Sequence, residues 1–176
     1  MGHTPRASRH EPSGYFKPAH EGPGLLPWSH VGERMRGARN YWVATCGPEG
    51  RPHSMPVWGV WLEDVFFFST GPTTRKARNL LANPRAVVHL ESGADLVVVE
   101  GHAREVRDAP TIERFLAAYN PKYGWDFSVA QLESGGLFQV TPERAFAWRG
   151  DEGDAFSATA TRWVLGDAPG RPPDPR

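Results

Sequence analysis

Short stretches of alternating apolar and polar residues dominate this chain, and the three-to-four spacing of an amphipathic helix interrupts them in only a few places. Residues 1–27 are polar and rich in Pro and Gly, with no sustained period; they read as a variable extension with Tyr15 and Phe16 as its candidate anchors. From Ser29, a plausible N-cap, Val31, Met35 and Ala38 make a modest helical face that Gly37 weakens. Tyr41–Thr45 predicts a strand, and Pro48-Glu49-Gly50 a turn. The next strand is predicted over His53–Trp61, with Met55, Val57 and Trp61 on one face and Ser54, Pro56, Trp58 and Val60 on the other. Pro56 has no N–H to donate to a ladder, which assigns this segment to a sheet edge or a bulge.

Glu63-Asp64 predicts a turn before the aromatic strand Val65–Ser69. Thr73 or Thr74 caps a helix whose packing face is Ala77, Leu80 and Leu81, ending near Asn83-Pro84. Ala86–Leu90 and Leu96–Arg104 predict a strand pair. Asp108 caps a helix with a stripe of Ile112, Phe115, Leu116 and Tyr119, closed by Pro121. Gly136–Thr141 and Arg144–Trp148 predict a last strand pair about Pro142-Glu143, and Ser157–Leu165 a further sheet edge before the Pro/Gly-rich tail 166–176. Many short strands with few helices favour a mainly β, antiparallel barrel with accessory helices, occupying 28–165 as one domain.

Composition narrows the function classes. Twenty Lys plus Arg balance twenty Asp plus Glu, so overall charge gives no reason to expect a nucleic-acid or membrane partner. No apolar run approaches the ~20 residues that cross a bilayer, and no signal-peptide core is visible near the start; a cytoplasmic location is expected. Cys46, the one cysteine, reads as a buried structural thiol rather than a nucleophile. His89 and His102 form no metal-ligand pattern with nearby carboxylates, so no metal is expected.

The densest local chemistry lies between Phe66 and Leu80, which spells a strand, a turn and a basic helix start. Backbone N–H groups at a helix N-terminus receive phosphate oxygens. Ser69, Thr70 and Thr74 add hydroxyls there, and Arg75 and Lys76 add charge. Positive charge opposes the helix dipole at that end, a conflict that a bound anion relieves. A solvated basic turn with a threonine cap is the plainer alternative. Neither the P-loop pattern nor the Gly-x-Gly-x-x-Gly fingerprint occurs.

Gly50-Arg51-Pro52-His53-Ser54-Met55-Pro56-Val57-Trp58-Gly59-Val60-Trp61, followed by this basic turn, resembles the pyridoxamine 5′-phosphate oxidase-like superfamily, especially its compact flavin and deazaflavin oxidoreductases. Arg144–Trp148 and Ala158–Trp163 extend the resemblance, which covers about residues 28–165. It implies an FMN-binding split β-barrel, a homodimer with two cofactor sites across its interface, and cofactor F420 or FMN. Ser69, Thr70, Arg75 and Lys76 match the phosphate-contact region, and Ser54, Met55, Pro56, Val57 and Trp58 the wall beside the tricyclic ring. Trp148 and Thr161–Trp163 are implied to approach from the same or the neighbouring subunit.

The function expected from the resemblance is an F420-dependent oxidoreductase that passes hydride to a small organic acceptor. The alternatives are an FMN-dependent pyridoxamine 5′-phosphate oxidase-like enzyme and a non-enzymatic binder of a planar ligand such as haem or flavin. A flavin-type ring carries its own hydride chemistry, so no catalytic triad is required. His53 is either a ring or carbonyl contact or, more simply, polar support for an irregular strand. Tyr119 and Tyr123 are possible proton donors, although helix packing is their ordinary role. No catalytic residue is assigned from sequence.

Overall fold

A computed structural model describes residues 5–10, 24–150 and 155–165, with the backbone alone for Phe156 and Ser157. Tyr15, Phe16 and the tail 166–176 lie outside the described residues. The extension does contain a strand, contrary to expectation: β1 (Arg6–Arg9). Helix α1 (Trp28–Gly37) starts one turn position early, with Pro27 rather than Ser29 as N-cap. Proline fixes the extended φ that an N-cap needs, and the Pro27 carbonyl accepts the His30 N–H at 3.0 Å.

Strand β2 (Tyr41–Cys46) pairs with β3 (Pro52–Val57) in antiparallel register, Tyr41 opposite Val57 and Thr45 opposite His53. The single strand predicted over His53–Trp61 is in fact two, because the ladder breaks at Trp58 and β4 (Gly59–Leu62) begins afresh. A two-residue hairpin joins β4 to β5 (Val65–Ser69), with Glu63 and Asp64 both at positive φ, 49° and 61°. That combination twists a hairpin in the sense that its strands require.

Helix α2 (Arg75–Ala82) has Thr74 as its N-cap, the hydroxyl accepting the Ala77 N–H. Ala77 and Leu80 are buried as expected, but Leu81 faces solvent and Lys76 and Asn79 take the inner positions. Strands β6 (Arg85–His89) and β7 (Asp95–Glu105) pair as predicted. Asp108 caps α3 (Ala109–Tyr123), whose stripe Ile112, Phe115, Leu116 and Tyr119 is buried. Pro121 does not close α3. It forfeits one hydrogen bond in the last turn, and the helix ends at Gly124, whose φ of 71° suits glycine.

Helix α4 (Val129–Glu133) follows. The expected final hairpin is instead one 13-residue strand, β8 (Leu137–Arg149). Pro142-Glu143 makes an irregularity, not a turn: Gly101 stands opposite Pro142 and Glu100 opposite Arg144, so Glu143 is the extra residue and the bulge lies in β8. Helix α5 (Ala155–Thr159) and β9 (Thr161–Val164) complete the described chain, and β1 rather than β9 is the sheet's outer edge.

The strands run β1-β9-β8-β7-β6-β2-β3 across the sheet. Strand β8 is the branch point: β7 pairs along one side of it, while β5 takes Leu137–Val140 and β9 takes Arg144–Ala147 on the other. The ring is completed between β3 and β4 by the covalent chain at Trp58 rather than by a ladder, which makes the fold an open, split barrel with helices on its outside. Pro56 therefore sits on an edge strand, as its missing N–H requires. Inside, Phe66, Phe68 and Phe138 stack with ring centroids 5.8 Å apart at each step. Each ring so buried contributes roughly 1.5–3 kcal/mol. A second apolar cluster packs α3 against Val60, Phe67 and Leu137.

Candidate functional site

Period-two geometry sends Phe66 and Phe68 to the barrel core, and Phe67 and Ser69 toward α3. Ser69 therefore lies on the α3 side of β5, near the Tyr119 phenol, and among the described residues its hydroxyl makes no hydrogen bond to Thr70, Thr74 or Lys76. Thr70 begins the turn, with its N–H donating to the Gly136 carbonyl at 2.8 Å. The Thr70 and Thr74 hydroxyls lie 3.1 Å apart, and the Lys76 Nζ reaches the Thr70 hydroxyl at 3.5 Å. Thr70, Thr74 and Lys76 are thus brought together, with Arg75 beside them at the first position of α2.

Lys76 is only 8% exposed, beneath the Phe68 ring at 6.0 Å. Burial pulls its ammonium below the ordinary lysine value. Among the described residues no carboxylate pairs with Lys76 or Arg75. A buried ammonium without an acid is costly, and an anion at this turn offsets that cost.

Desolvation first, and then the nearby charges of Arg75 and Lys76, lower the pKa of His53 on β3. Its backbone partner Thr45 is buried, and the Thr45 hydroxyl accepts from the Asn79 amide at 3.0 Å. This link from α2 to β2 fixes the helix start beside the β3 edge. The sequence reading missed it, because nothing in the spacing pairs residues 45 and 79.

Along β3, Ser54 and Pro56 are exposed and Met55 is 47% exposed, so a ligand can lie along this edge. Val57 points into the core, leaving only its backbone for a ligand. Trp58, at the split, is 36% exposed and stacks on Tyr123 at 4.7 Å with the ring planes 8° apart. Tyr123 is buried, and its hydroxyl accepts from the Gly59 N–H at 3.0 Å and donates within reach of the Arg39 and Gly59 carbonyls. Burial raises the Tyr119 and Tyr123 phenols above their ordinary pKa. Tyr123 is a fastener of the split, a role that sequence alone does not separate from proton donation.

Trp148 lies half-buried on the outer face of β8, its indole N–H donating to the Gly93 carbonyl at 3.0 Å. The cross-strand row Pro56, Trp42, His89, Val98 and Phe146 spans the same side of the sheet, with Trp42 and His89 stacked. Trp163 requires a correction. It is 1% exposed, packed in the core against Trp28 at 5.7 Å, and offers no face to a cofactor. Among the described residues no group of three or more His, Cys, Asp or Glu can hold a metal, and no helix is long and apolar enough to cross a membrane.

Residues 30–149 match the sequence profile of the family described as pyridoxamine 5′-phosphate oxidase. The chain belongs to this family. No curated protein matches it. Similar folds include the conserved hypothetical protein Rv2991 from Mycobacterium tuberculosis, at 22% identity and TM-score 0.61, covering 71% of this chain and 86% of that one. The heme storage protein HutZ from Vibrio cholerae shares 21% identity at TM-score 0.56, covering 70% and 96% of the two chains. An F420 reductase shares 23% identity at TM-score 0.51, covering 64% and 94%. These likenesses establish the fold. The pyridoxamine 5′-phosphate oxidase-like barrel thus occurs in proteins named for storage and for reduction, and the chemistry of a member has to be argued from its own site.

Proposed function

We propose that this protein is an F420-dependent oxidoreductase that passes hydride to a small organic acceptor. The observation that carries the reading is the buried, acid-free Lys76 beside Thr70, Thr74 and Arg75 at the start of α2. Those residues hold the phosphate. From His53 on β3 to Trp58 just beyond its end the chain extends about 17 Å at ~3.3 Å per residue, a length that suits a phosphate at one end and a tricyclic ring near the other. Ser54, Met55 and Pro56 form the wall beside the ring, and the β3 backbone orients it. When bound, the ring supplies the hydride chemistry. The protein holds the phosphate, fixes the ring face and shields one side of it from water.

The fold shared with an F420 reductase favours the deazaflavin; FMN is the alternative that the same grip accommodates. Trp42, Val98, Phe146 and Trp148 on the outer sheet face suit a homodimer interface that covers this side of the site. A cytoplasmic location agrees with an unpaired Cys46. Sedimentation of the dilute, cofactor-loaded protein is expected to give the mass of a dimer; an active monomer contradicts a shared site.

Stopped-flow mixing with reduced F420 and a small unsaturated ketone tests the activity. Acceptor-dependent oxidation of F420, above the rate without protein, is expected. Tight FMN binding and turnover with no response to F420 selects the alternative cofactor. Binding without turnover across a broad acceptor panel makes the protein a planar-ligand store.

A further inference from the structure

The end of the β3 edge remote from the phosphate turn carries a second concentration of positive charge. The Arg39 guanidinium lies 5.6 Å from the Trp58 ring and 5.5 Å from the Tyr123 ring. Lys122 Nζ lies 5.4 Å from the same Tyr123 ring and 5.0 Å from Tyr41. Among the described residues neither cation has a carboxylate partner. Lys122 donates to the Tyr41 hydroxyl at 2.8 Å and to the Gly59 carbonyl at 3.1 Å, which leaves one of its three N–H groups. Arg39 offers five N–H groups, and its side chain makes no hydrogen bond among the described residues.

Exposed aromatic surface adjoins these charges. Trp125 is 50% exposed, 6.4 Å from Trp58 with the two indoles inclined at 54°, and stacks on Phe127 at 5.1 Å. In a chain whose acids and bases balance overall, two like charges without acids beside open indole faces fit one kind of visitor. It must be flat, to lie on an indole, and anionic, to neutralise the pair.

We propose that Arg39, Lys122, Trp58 and Trp125 form a subsite for a planar, conjugated carboxylate, the acceptor class of the oxidoreductase. Its role as an acceptor site rests on the functional reading above; its binding chemistry does not. Arg39 supplies the fork for the carboxylate, Lys122 a point charge, and the indoles the stacking surface. The cation pair is weakest at high pH, because burial first and Arg39 second bring the Lys122 ammonium down from 10.5 to about 8. The other groups facing Lys122 are the Tyr41 and Tyr123 phenols, both raised by burial and neutral there, and the Arg39 guanidinium. Carboxylate affinity therefore falls as pH rises through about 8.

Calorimetric titration of the full chain with 2-naphthoate and its uncharged isostere 2-naphthamide tests the subsite. Naphthoate should bind roughly tenfold more tightly at pH 7, the effect of one charge-assisted bond. Arg39→Gln should remove most of that preference while leaving naphthamide unchanged, and Trp125→Ala, at an exposed position, should weaken both. Equal affinity for the two compounds, or parental naphthoate binding by Arg39→Gln, overturns the proposal. FMN and F420 titrated into the same preparation separate the two ideas. Naphthoate binding without either cofactor supports the subsite and counts against the oxidoreductase; cofactor binding without naphthoate overturns the subsite alone.

Discussion

Replacing Arg75 and Lys76 together, as Arg75→Gln with Lys76→Met, should weaken cofactor binding by roughly 10²- to 10⁴-fold while the barrel stays folded. Each charge-assisted bond to a phosphate contributes about 1.5–3 kcal/mol, and every 1.4 kcal/mol is tenfold in affinity. Lys76 should account for more of the loss than Arg75, because its ammonium is buried and solvent cannot replace the bond. Stability should move the other way. A buried ammonium without a carboxylate burdens the cofactor-free fold, and methionine fills the same space without charge, so Lys76→Met alone should leave the melting temperature unchanged or raise it. Equilibrium titration and thermal unfolding of the same samples read both effects. Unchanged affinity in the double variant removes the phosphate from this turn.

Gly59→Val should destabilise the fold by about 3 kcal/mol or more, at the upper end of overpacking effects. A side chain there would overlap the Phe66 ring and approach the Phe67 carbonyl oxygen at 2.6 Å. The ring is fully buried and the carbonyl is backbone in the β4–β5 ladder, so neither can give way cheaply. The same residue is where Tyr123 and Lys122 tie α3 to the split, through its N–H and its carbonyl. Gly93→Ala is the matched control, since nothing lies within 4 Å of the added atom. It should change stability by less than about 0.5 kcal/mol. Urea unfolding measures both variants, and a stable Gly59→Val protein contradicts the close approach of β4 to β5.

What the sequence discloses here follows the range of the forces involved. Thr74 and Asp108 were readable as caps because an N-cap acts on a residue three positions away. The aromatic run in Val65–Ser69 gave its strand but not its core face, since three consecutive phenylalanines, all buried, carry no period-two pattern. The edge position of β3 was legible in Pro56 alone. Long-range pairing was not. Arg6–Arg9 is a strand only because β9 accepts it about 150 residues later, and Pro142 sits inside β8 because β8 bulges at Glu143 while β7 continues the ladder on both sides.

The candidate site divides along the same line. The cations and hydroxyls of the α2 turn are close in sequence and were found together, but the side of the strand that Ser69 occupies depends on Tyr119 of α3. Trp163 carried a motif resemblance, yet Trp28 and the core claim its indole. Arg39 and Lys122 went unnoticed because they meet only where α3 ends against the split.

The most direct measurement of the central claim compares ligands that differ only by the phosphate. The protein is titrated with FMN and with riboflavin, and with F420 and the same deazaflavin ring whose side chain stops before its phosphate. In the preferred pair the phosphorylated ligand should bind at least roughly 100-fold more tightly, the work of two charge-assisted bonds at the lower end of their range, and the Arg75→Gln/Lys76→Met protein should lose that difference. Equal affinity within both pairs, or a phosphate preference that survives the double replacement, would contradict the account.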